Sequence, residues 1–357
     1  MSNMRNTFPS VGPFKASLFF APPRLCGLLV FAVCFLAACA VSPDAMDPDA
    51  GAPVAIRHAV VNLLVERDSE DTDSFGAAVV FDDKGRLVTA HHVVEGAAHI
   101  TVLLEGGRAT TATIVGVDAV CDIALLQCGA YVPEAMTPAL LAPSLPEPGA
   151  TIWSLGNPFG TARIGGGAAV TRGVVSALHR SYVSETTGRI YLDCIQHDAP
   201  TNPGNSGGGI FNARGEWVGL NAVITAMREQ PRDYGVAFAI PATRVSAIAA
   251  ELAAGKEVSH GWLGARSYRL ATQISGGAGV MRAVLGPLDD AGPAFRYGLQ
   301  PGDVLMAVNG TEVHGIHEML VIEDNLAPGS MAKIRINRAG REFDVNVEIA
   351  ARGVSGR

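Results

Sequence analysis

Short apolar segments separated by turn residues constrain the fold of this chain more than any other feature. Twelve segments of four to six residues lie between residues 60 and 240: Val60–Val65, Gly76–Phe81, Arg86–Thr89, Ile100–Leu104, Thr113–Val117, Ile123–Gln127, Ile152–Leu155, Val174–Leu178, Tyr191–Gln196, Gly209–Asn212, Trp217–Ala222 and Val236–Ile240. Gly, Asp and Asn are frequent in the connections between them. Regular short strands with such turns predict antiparallel barrels or sandwiches.

One later segment departs from this pattern and marks a domain boundary. Between residues 241 and 254 the apolar residues recur at helical spacing, at Val245, Ile248, Ala249 and Leu252. Gly255 follows and can end such a helix. We therefore predict a first domain over residues 56–254, a linker over 255–260 and a second unit over 261–350. A length of 357 residues is compatible with two domains.

The first 38 residues have the composition of a secretory signal. Arg24 precedes the uncharged run Leu25–Leu36, and the small residues Ala37 and Ala38 follow, just before Cys39. The run at 36–39 resembles the bacterial lipobox, which implies cleavage before Cys39 and a lipid on its thiol. The alternative is an uncleaved anchor, because the stretch Leu25–Val41 reaches the lower limit for spanning a bilayer. Residues 39–55 are rich in Ala, Pro and Asp and predict a flexible tether.

Both alternatives place the remainder of the chain outside the cytoplasm. We expect a periplasmic protein held on a membrane by its lipid anchor. Ala40 follows Cys39, whereas Asp is the usual signal for inner-membrane retention in Gram-negative bacteria. An outer-membrane location is therefore favoured.

Charge and cysteine content exclude several classes of partner. The formal net charge is −7, so nucleic acid is not an expected partner. We find no zinc-type cysteine spacing or phosphate-binding glycine loop, and we expect no cofactor and no metal. Cys121 and Cys128 flank a predicted strand that spans about 23 Å, too far for a disulfide. With Cys194 they are expected to be buried as small apolar residues.

Three local signals carry catalytic chemistry, in the order His, Asp, Ser. His91 and His92 follow a predicted strand, Asp122 begins another, and Ser206 lies in a glycine-rich turn. A serine hydroxyl needs a neighbouring base, which imidazole supplies near neutral pH, and a carboxylate orients the imidazole. The glycines allow a tight turn that aims backbone N–H groups at the developing oxyanion. The chymotrypsin fold uses this order of residues.

The segments 89–94, 121–126, 156–160, 202–208 and 236–241 together resemble the HtrA (Deg) family of serine proteases. The resemblance covers about residues 59–350. It implies two six-stranded antiparallel barrels of chymotrypsin type, followed by a small α/β PDZ domain. It also implies a catalytic triad of His92, Asp122 and Ser206, with His92 favoured over His91.

The resemblance further implies an oxyanion hole and a specificity pocket. The backbone of Gly204, Asn205 and Ser206 is the predicted oxyanion hole, and the predicted pocket residues are Pro200, Leu220 and Asn221. Digestive relatives that cut after Lys or Arg have an acid six residues before the serine, where this chain has Pro200. Because a basic side chain would lack a buried partner there, we expect cleavage after small or medium aliphatic residues in unfolded polypeptides.

The second unit resembles a PDZ domain. The predicted loop for a peptide carboxylate is Trp262, Leu263, Gly264 and Ala265. An apolar C-terminal peptide would add as a strand beside the segment after Ala265, and a helix beginning near His314 would line the groove. The alternative is a small unit that only packs on the protease.

The resemblance also implies regulation and assembly. A loop within residues 179–189, with Arg180 near its start, is expected to sense the PDZ domain, and homotrimers are usual in the family. The expected function is that of an exported serine endopeptidase. A catalytically weak tethered chaperone or peptide sensor is the alternative. An acyl hydrolase would be expected to show a different serine motif and the order Ser, Asp, His.

Overall fold

The computed structural model describes residues 56–68, 74–164, 167–184, 189–224, 235–275 and 278–352. The predicted signal and tether, including Cys39, lie outside the described residues. Among the described residues, no helix is both long enough and apolar enough to span a membrane.

The first six strands close into an antiparallel barrel. They are β1 (Val60–Glu66), β2 (Ser74–Val80), β3 (Arg86–Ala90), β4 (His99–Leu103), β5 (Ala109–Asp118) and β6 (Ile123–Cys128), paired in the order β1-β2-β3-β6-β5-β4. The one-turn helix α1 (His91–Val94) follows β3. A short 3₁₀ segment, Glu105–Gly107, joins β4 to β5.

A second barrel repeats this architecture. Its strands are β7 (Thr151–Gly156), β8 (Ala169–Val183), β9 (Ile190–His197), β10 (Gly209–Asn212), β11 (Trp217–Ile224) and β12 (Ala237–Pro241), in the order β10-β11-β12-β9-β8-β7. A 3₁₀ segment, Pro158–Ile164, follows β7. The predicted pair of six-stranded antiparallel barrels is confirmed.

Strand β1 is apolar on both faces because each face is buried against a different core. Val61, Leu63 and Val65 alternate along β1 into the interior of the first barrel. Val60 points the other way, into a larger cluster that also contains Phe211 and Trp217 of the second barrel. This second cluster packs the two barrels together, and burial of its side chains supplies most of the apolar driving force between them.

The helix α2 (Ala242–Ala253) ends the protease unit close to its predicted bounds. Gly255 follows it with a φ of +71°, a conformation that suits glycine after a helix end. The residues predicted to face the core, including Val245 and Leu252, are buried in the cluster between the barrels.

The second unit has the strands and helices of a PDZ domain. The strands β14 (Tyr268–Ser275), β15 (Ala278–Leu285), β16 (Val304–Val308), β18 (Met331–Arg338) and β19 (Arg341–Glu348) form a sheet in that order. Strand β17 (Thr311–Glu312) pairs with β16, and β13 (Gly261–Trp262) pairs with β20 (Ala350–Ala351). The helices are α3 (Pro293–Arg296) and α4 (Ile316–Asp324), so α4 begins two residues after His314.

Candidate active site

The structure brings His92 and Asp122 together at the edge of the first barrel. The Nδ1 atom of His92, on α1, lies 2.7 Å from Oδ2 of Asp122. The His92 backbone N–H donates to Oδ1 of the same carboxylate at 2.9 Å. His91 does not contact this carboxylate through its side chain, and its ring Nδ1 is buried without a hydrogen bond to a described residue. The geometry therefore distinguishes the two adjacent histidines, because only the His92 side chain contacts the carboxylate.

The backbone of Asp122 is itself unusual. Its φ is +61°, in the left-handed region that non-glycine residues rarely adopt. The conformation is stabilised by the His91 N–H, which donates to the Asp122 carbonyl at 3.0 Å, and the side chain is fully buried. Strained backbone of this kind is found often at functional sites.

Two further side chains that the sequence analysis missed bind the Asp122 carboxylate. Arg189 Nη1 lies 2.5 Å from Oδ1, and the Tyr191 hydroxyl donates to Oδ2 at 2.8 Å. Burial alone would raise the pKa of Asp122, but the hydrogen bonds from His92 and the charge of Arg189 outweigh burial and lower it. Asp122 is therefore held ionised. No local motif marks Arg189 or Tyr191, because the packing of the two barrels brings the start of β9 to Asp122.

The turn before Ser206 has a geometry that directs backbone N–H groups outward. The Asn205 N–H donates to the Asn202 carbonyl at 3.0 Å, and Gly204 has a φ of +101°. With Pro203 in the second position, this is the pattern of a type II turn. The Pro203 carbonyl accepts from Phe159 N–H at 2.8 Å, so the Gly204 N–H of the same trans peptide points the opposite way.

The N–H groups of Gly204 and Ser206 donate to no backbone carbonyl of the described residues. They are therefore available to an oxyanion. Asn205 belongs to the predicted oxyanion hole, and this part of the prediction is corrected. Its N–H is not free for an oxyanion because it donates to Asn202 and closes the turn. A side chain at residue 204 is excluded, since a Cβ there would lie 2.1 Å from the Asn157 carbonyl oxygen.

Both barrels position the nucleophile loop. The Ser206 carbonyl accepts from Ala77 N–H of the first barrel at 3.0 Å, and Gly207 N–H donates to the Asn221 carbonyl of the second barrel at 2.8 Å. No hydrogen bond joins His92 to the Ser206 hydroxyl. Catalytic hydrogen bonds are often long or poorly aligned without substrate, so this open contact does not conflict with the predicted triad.

The predicted pocket residues have unequal roles. Pro200 is exposed, and its carbonyl accepts from the Thr171 hydroxyl at 2.9 Å. Leu220, contrary to the prediction, is fully buried in the core between the barrels. Asn221 is also buried, and its amide donates to the Ser154 hydroxyl at 3.0 Å. The side chains of Leu220 and Asn221 therefore do not face an open pocket. Asn221 instead holds the loop of Ser206 through its backbone carbonyl, which accepts from Gly207 N–H.

The predicted carboxylate loop of the PDZ unit is partly occupied by the chain itself. The Leu263 N–H donates to Oε1 of Glu323, at the end of α4, at 2.6 Å, and Tyr268 hydrogen-bonds to Oε2 at 3.0 Å. The N–H groups of Gly264 and Ala265 donate to no backbone carbonyl of the described residues. The side chains of Trp262 and Leu263 are half-buried and buried, so the loop offers backbone groups, as a carboxylate site requires.

Part of the predicted regulatory loop, residues 185–188, lies outside the described residues. Strand β8 continues to Val183, so Arg180 lies on a strand, where it is exposed and forms no ion pair with a described residue. The contact with the PDZ unit comes from the next residue, because the Ser181 hydroxyl lies 2.5 Å from Nδ1 of His317 on α4.

A buried charged cluster joins the protease unit, the linker and the PDZ unit beside Asp122. His260 of the linker lies 2.9 Å from Asp118 and 3.2 Å from Asp324. Burial alone would lower the pKa of His260, but hydrogen bonds to Asp118, Asp324 and Cys121 raise it to about 12. Arg244 of α2 pairs with Asp324 and lies 3.0 Å from the Cys121 sulfur.

The three described cysteines are free thiols. Cys128 and Cys194 are buried in apolar clusters, as predicted. The prediction is wrong for Cys121, which is partly exposed and lies among charged groups.

Comparison with known proteins agrees with this architecture. Residues 76–220 match the trypsin-like peptidase domain, and residues 267–349 match the PDZ domain. Among solved structures, an HtrA-type protease AlgW with tripeptide is 30% identical, with a TM-score of 0.70 over 84% of this chain and 95% of that one. A serine endoprotease from Yersinia pestis is 25% identical, with a TM-score of 0.62 over 84% of this chain and 96% of that one.

Curated relatives are similar over much of the chain. A probable periplasmic serine endoprotease DegP-like from Halomonas elongata is 32% identical over 79% of this chain and 57% of its own length. A protein of the same description from Brucella suis is 32% identical over 77% of this chain and 52% of its own length. The chain therefore spans only about half the length of these relatives.

Proposed function

The chain belongs to the HtrA family of trypsin-like serine proteases, and from this premise we propose that it is an exported serine endopeptidase. Ser206 is the nucleophile, His92 the general base that takes its proton, and Asp122 the acid that orients the imidazole. The observation that carries the proposal is the 2.7 Å contact between His92 Nδ1 and Asp122 Oδ2. This contact supports the role of His92 as a base whose tautomer is fixed by a buried anion.

The proposed reaction follows from this geometry. The Ser206 oxygen attacks the scissile carbonyl while His92 accepts the hydroxyl proton, and Asp122 stabilises the imidazolium that forms. The N–H groups of Gly204 and Ser206 stabilise the oxyanion. His92 then returns the proton to the leaving amine, and water hydrolyses the acyl-enzyme by the same steps.

We propose unfolded polypeptides as substrates, with cleavage after small or medium aliphatic residues. The position six residues before the nucleophile is Pro200, which carries no charge to attract a lysine or arginine. The nearby Asp198 is engaged elsewhere, since its carboxylate accepts from the Val174 N–H at 2.7 Å.

We further propose that an apolar C-terminal peptide bound by the PDZ unit regulates the protease. The N–H groups of Gly264 and Ala265 would hold its carboxylate, and its backbone would pair with the edge strand β14. Two contacts give the coupling a physical route. Ser181 on β8 touches His317 of α4, and Arg189, which precedes β9, touches Asp122. A displacement of α4 would therefore act on the hairpin that holds the catalytic acid, with Arg180 retained as a predicted sensor.

Export with lipidation at Cys39 completes the proposal. It rests on the sequence of residues 1–39, with the outer membrane of a Gram-negative cell favoured, and on the periplasmic relatives. A homotrimer is proposed from the family resemblance alone.

The triad is tested by cleavage of an unfolded protein such as reduced casein. Ser206→Ala and His92→Ala are each expected to lower kcat by about 10⁴-fold or more, while His91→Ala retains most of the activity. A fluorophosphonate that labels wild type but not Ser206→Ala would identify the nucleophile. If His91→Ala is the inactive variant, the assignment of the base is wrong. If wild type is neither labelled nor active, the chain is the tethered chaperone or peptide sensor.

A further inference from the structure

The buried cluster beside Asp122 contains three side chains with the donor atoms of a zinc site. Asp118 ends β5, Cys121 lies three residues later, and His260 comes from the linker before the PDZ unit. One donor atom from each lies within 4.8 Å of the other two. Asp118 and His260 are only 4% and 5% exposed. A sulfur, an imidazole nitrogen and a carboxylate oxygen, brought together from distant parts of the sequence, form a donor set that suits Zn²⁺.

We propose that Asp118, Cys121 and His260 bind a divalent transition-metal ion of the zinc class. The distances fit a tetrahedral ion after small movements. His260 Nε2 lies 3.8 Å from the Cys121 sulfur and 2.9 Å from Asp118 Oδ2. Bonds of about 2.0–2.3 Å at tetrahedral angles separate such donor atoms by about 3.4–3.6 Å. The two separations are within about half an ångström of these values. Because the sulfur also lies 4.0 Å from Nδ1, the Cys121 side chain must turn toward Nε2 to share the ion.

Neighbouring groups hold two of the three ligands, Asp118 and His260, in place. Oδ1 of Asp118 accepts from the N–H groups of Val120 and Cys121 at 3.0 and 3.1 Å, which leaves Oδ2 directed at His260. The other ring nitrogen of His260 lies 3.2 Å from Asp324. A carboxylate on the far nitrogen of a ligand histidine is the usual support of a zinc site, because it fixes the ring and the tautomer.

Arg244 is compatible with the ion because it acts from outside the ligand shell. Its guanidinium lies 3.0 Å from the Cys121 sulfur, where it stabilises a thiolate, and it pairs with Asp324. Metal binding displaces the thiol proton of Cys121 and the proton shared by His260 and Asp118. The ion's two charges thus replace two protons, and the formal charge of the cluster does not change.

The site would connect the linker to the loop that enters Asp122. His260 immediately precedes β13, and Cys121 immediately precedes the catalytic acid, so one ion would fasten the start of the PDZ unit to the active-site edge of the first barrel. The inference does not depend on proteolytic activity. From the sequence we predict no metal, because it contains no zinc-type cysteine spacing. His260 is 139 residues from Cys121, so no local spacing reveals the set.

The test is a Co²⁺ titration of the metal-free full chain carrying Ser206→Ala, followed by competition with Zn²⁺. Wild-type ligands should bind one Co²⁺ per chain, with a thiolate-to-metal charge-transfer band that Zn²⁺ abolishes. Cys121→Ser should lose the band, and His260→Gln should bind at least ten times more weakly. The matched control Cys128→Ser, which removes another largely buried thiol of the first barrel, should behave like wild type.

Two further measurements keep the result decisive if a ligand variant fails to fold. Zn²⁺ should protect Cys121, and not Cys128, from alkylation in the unsubstituted chain, as read by peptide mass spectrometry. Asp324→Asn should weaken Co²⁺ binding by about 10–100-fold, as loss of a supporting carboxylate does. The proposal is overturned if no charge-transfer band forms at saturating Co²⁺, or if Cys121→Ser keeps the band of the wild-type protein.

Discussion

Replacement of Arg189 by glutamine tests the least expected feature of the site, a guanidinium on the catalytic acid. Arg189 Nη1 lies 2.5 Å from Asp122 Oδ1, and the two side chains are 17% and 0% exposed. Arg189→Gln keeps a polar side chain of similar reach but removes the charge. We expect the folded state to lose stability because a buried carboxylate then lacks its counter-charge.

The size of the loss follows from the geometry. Charges whose centres are about 4 Å apart interact by about 4 kcal/mol at an effective dielectric constant of 20. Removing one member of a buried pair costs about 3–5 kcal/mol. Asp122 retains three other donors, the His92 N–H, the His92 ring and the Tyr191 hydroxyl, which moderate the loss. We therefore expect a loss of about 2–3 kcal/mol, or about 5–10 °C in Tm for a protease unit of this size.

The loss has a defined pH dependence. The pKa of Asp122 is lowered in the folded protein, so its ionised form stabilises the fold fully above the pKa of an unfolded aspartate, about 3.9. This stabilisation is lost as the pH falls through the lower pKa of the folded state. The difference between wild type and Arg189→Gln should therefore be constant from about pH 6 to 9 and shrink only below about pH 4.

The assay is thermal unfolding by circular dichroism in the Ser206→Ala background, which prevents self-digestion. Arg180→Gln is the matched control, because Arg180 lies on the same hairpin but is exposed, and it should change stability by less than about 0.5 kcal/mol. Equal Tm values for Arg189→Gln and Arg180→Gln would show that the charge of Arg189 does not stabilise the buried Asp122 carboxylate.

Three other predictions concern single positions. Gly204→Ala should lower kcat by about 10²–10³-fold, since its Cβ would meet a backbone oxygen at 2.1 Å, whereas Gly96→Ala, at a positive φ with open space, should stay active. Glu323→Gln should strengthen binding of an apolar C-terminal peptide about 5–10-fold, because it removes from the carboxylate loop a negative charge that repels the peptide carboxylate. Fluorescence polarisation measures the affinity, and unchanged or weaker binding would contradict this. Cys39→Ser should abolish lipidation, and mass spectrometry that finds Cys39 unmodified in an uncut wild-type chain would favour the membrane anchor.

Local sequence determined the strands and the order of the predicted triad residues, whereas the two barrels were implied by the family resemblance. Strand periodicity and turn residues are properties of a few neighbours, so all twelve protease strands and the helix after residue 241 were predictable. The glycines around Ser206 likewise predicted a tight turn, in which Gly204 has a positive φ. Motifs at His92, Asp122 and Ser206 are local too, because each is a strand end or a turn.

The other contacts of the site depend on how distant segments of the chain pack together. Arg189 and Tyr191 reach Asp122 because the second barrel packs against the first, and no local pattern distinguishes Arg189 from Arg180. Glu323 reaches the Leu263 N–H across sixty residues, and His260 reaches Cys121 across 139. These contacts depend on the register and packing of elements far apart in the chain, and a sequence read one segment at a time contains neither.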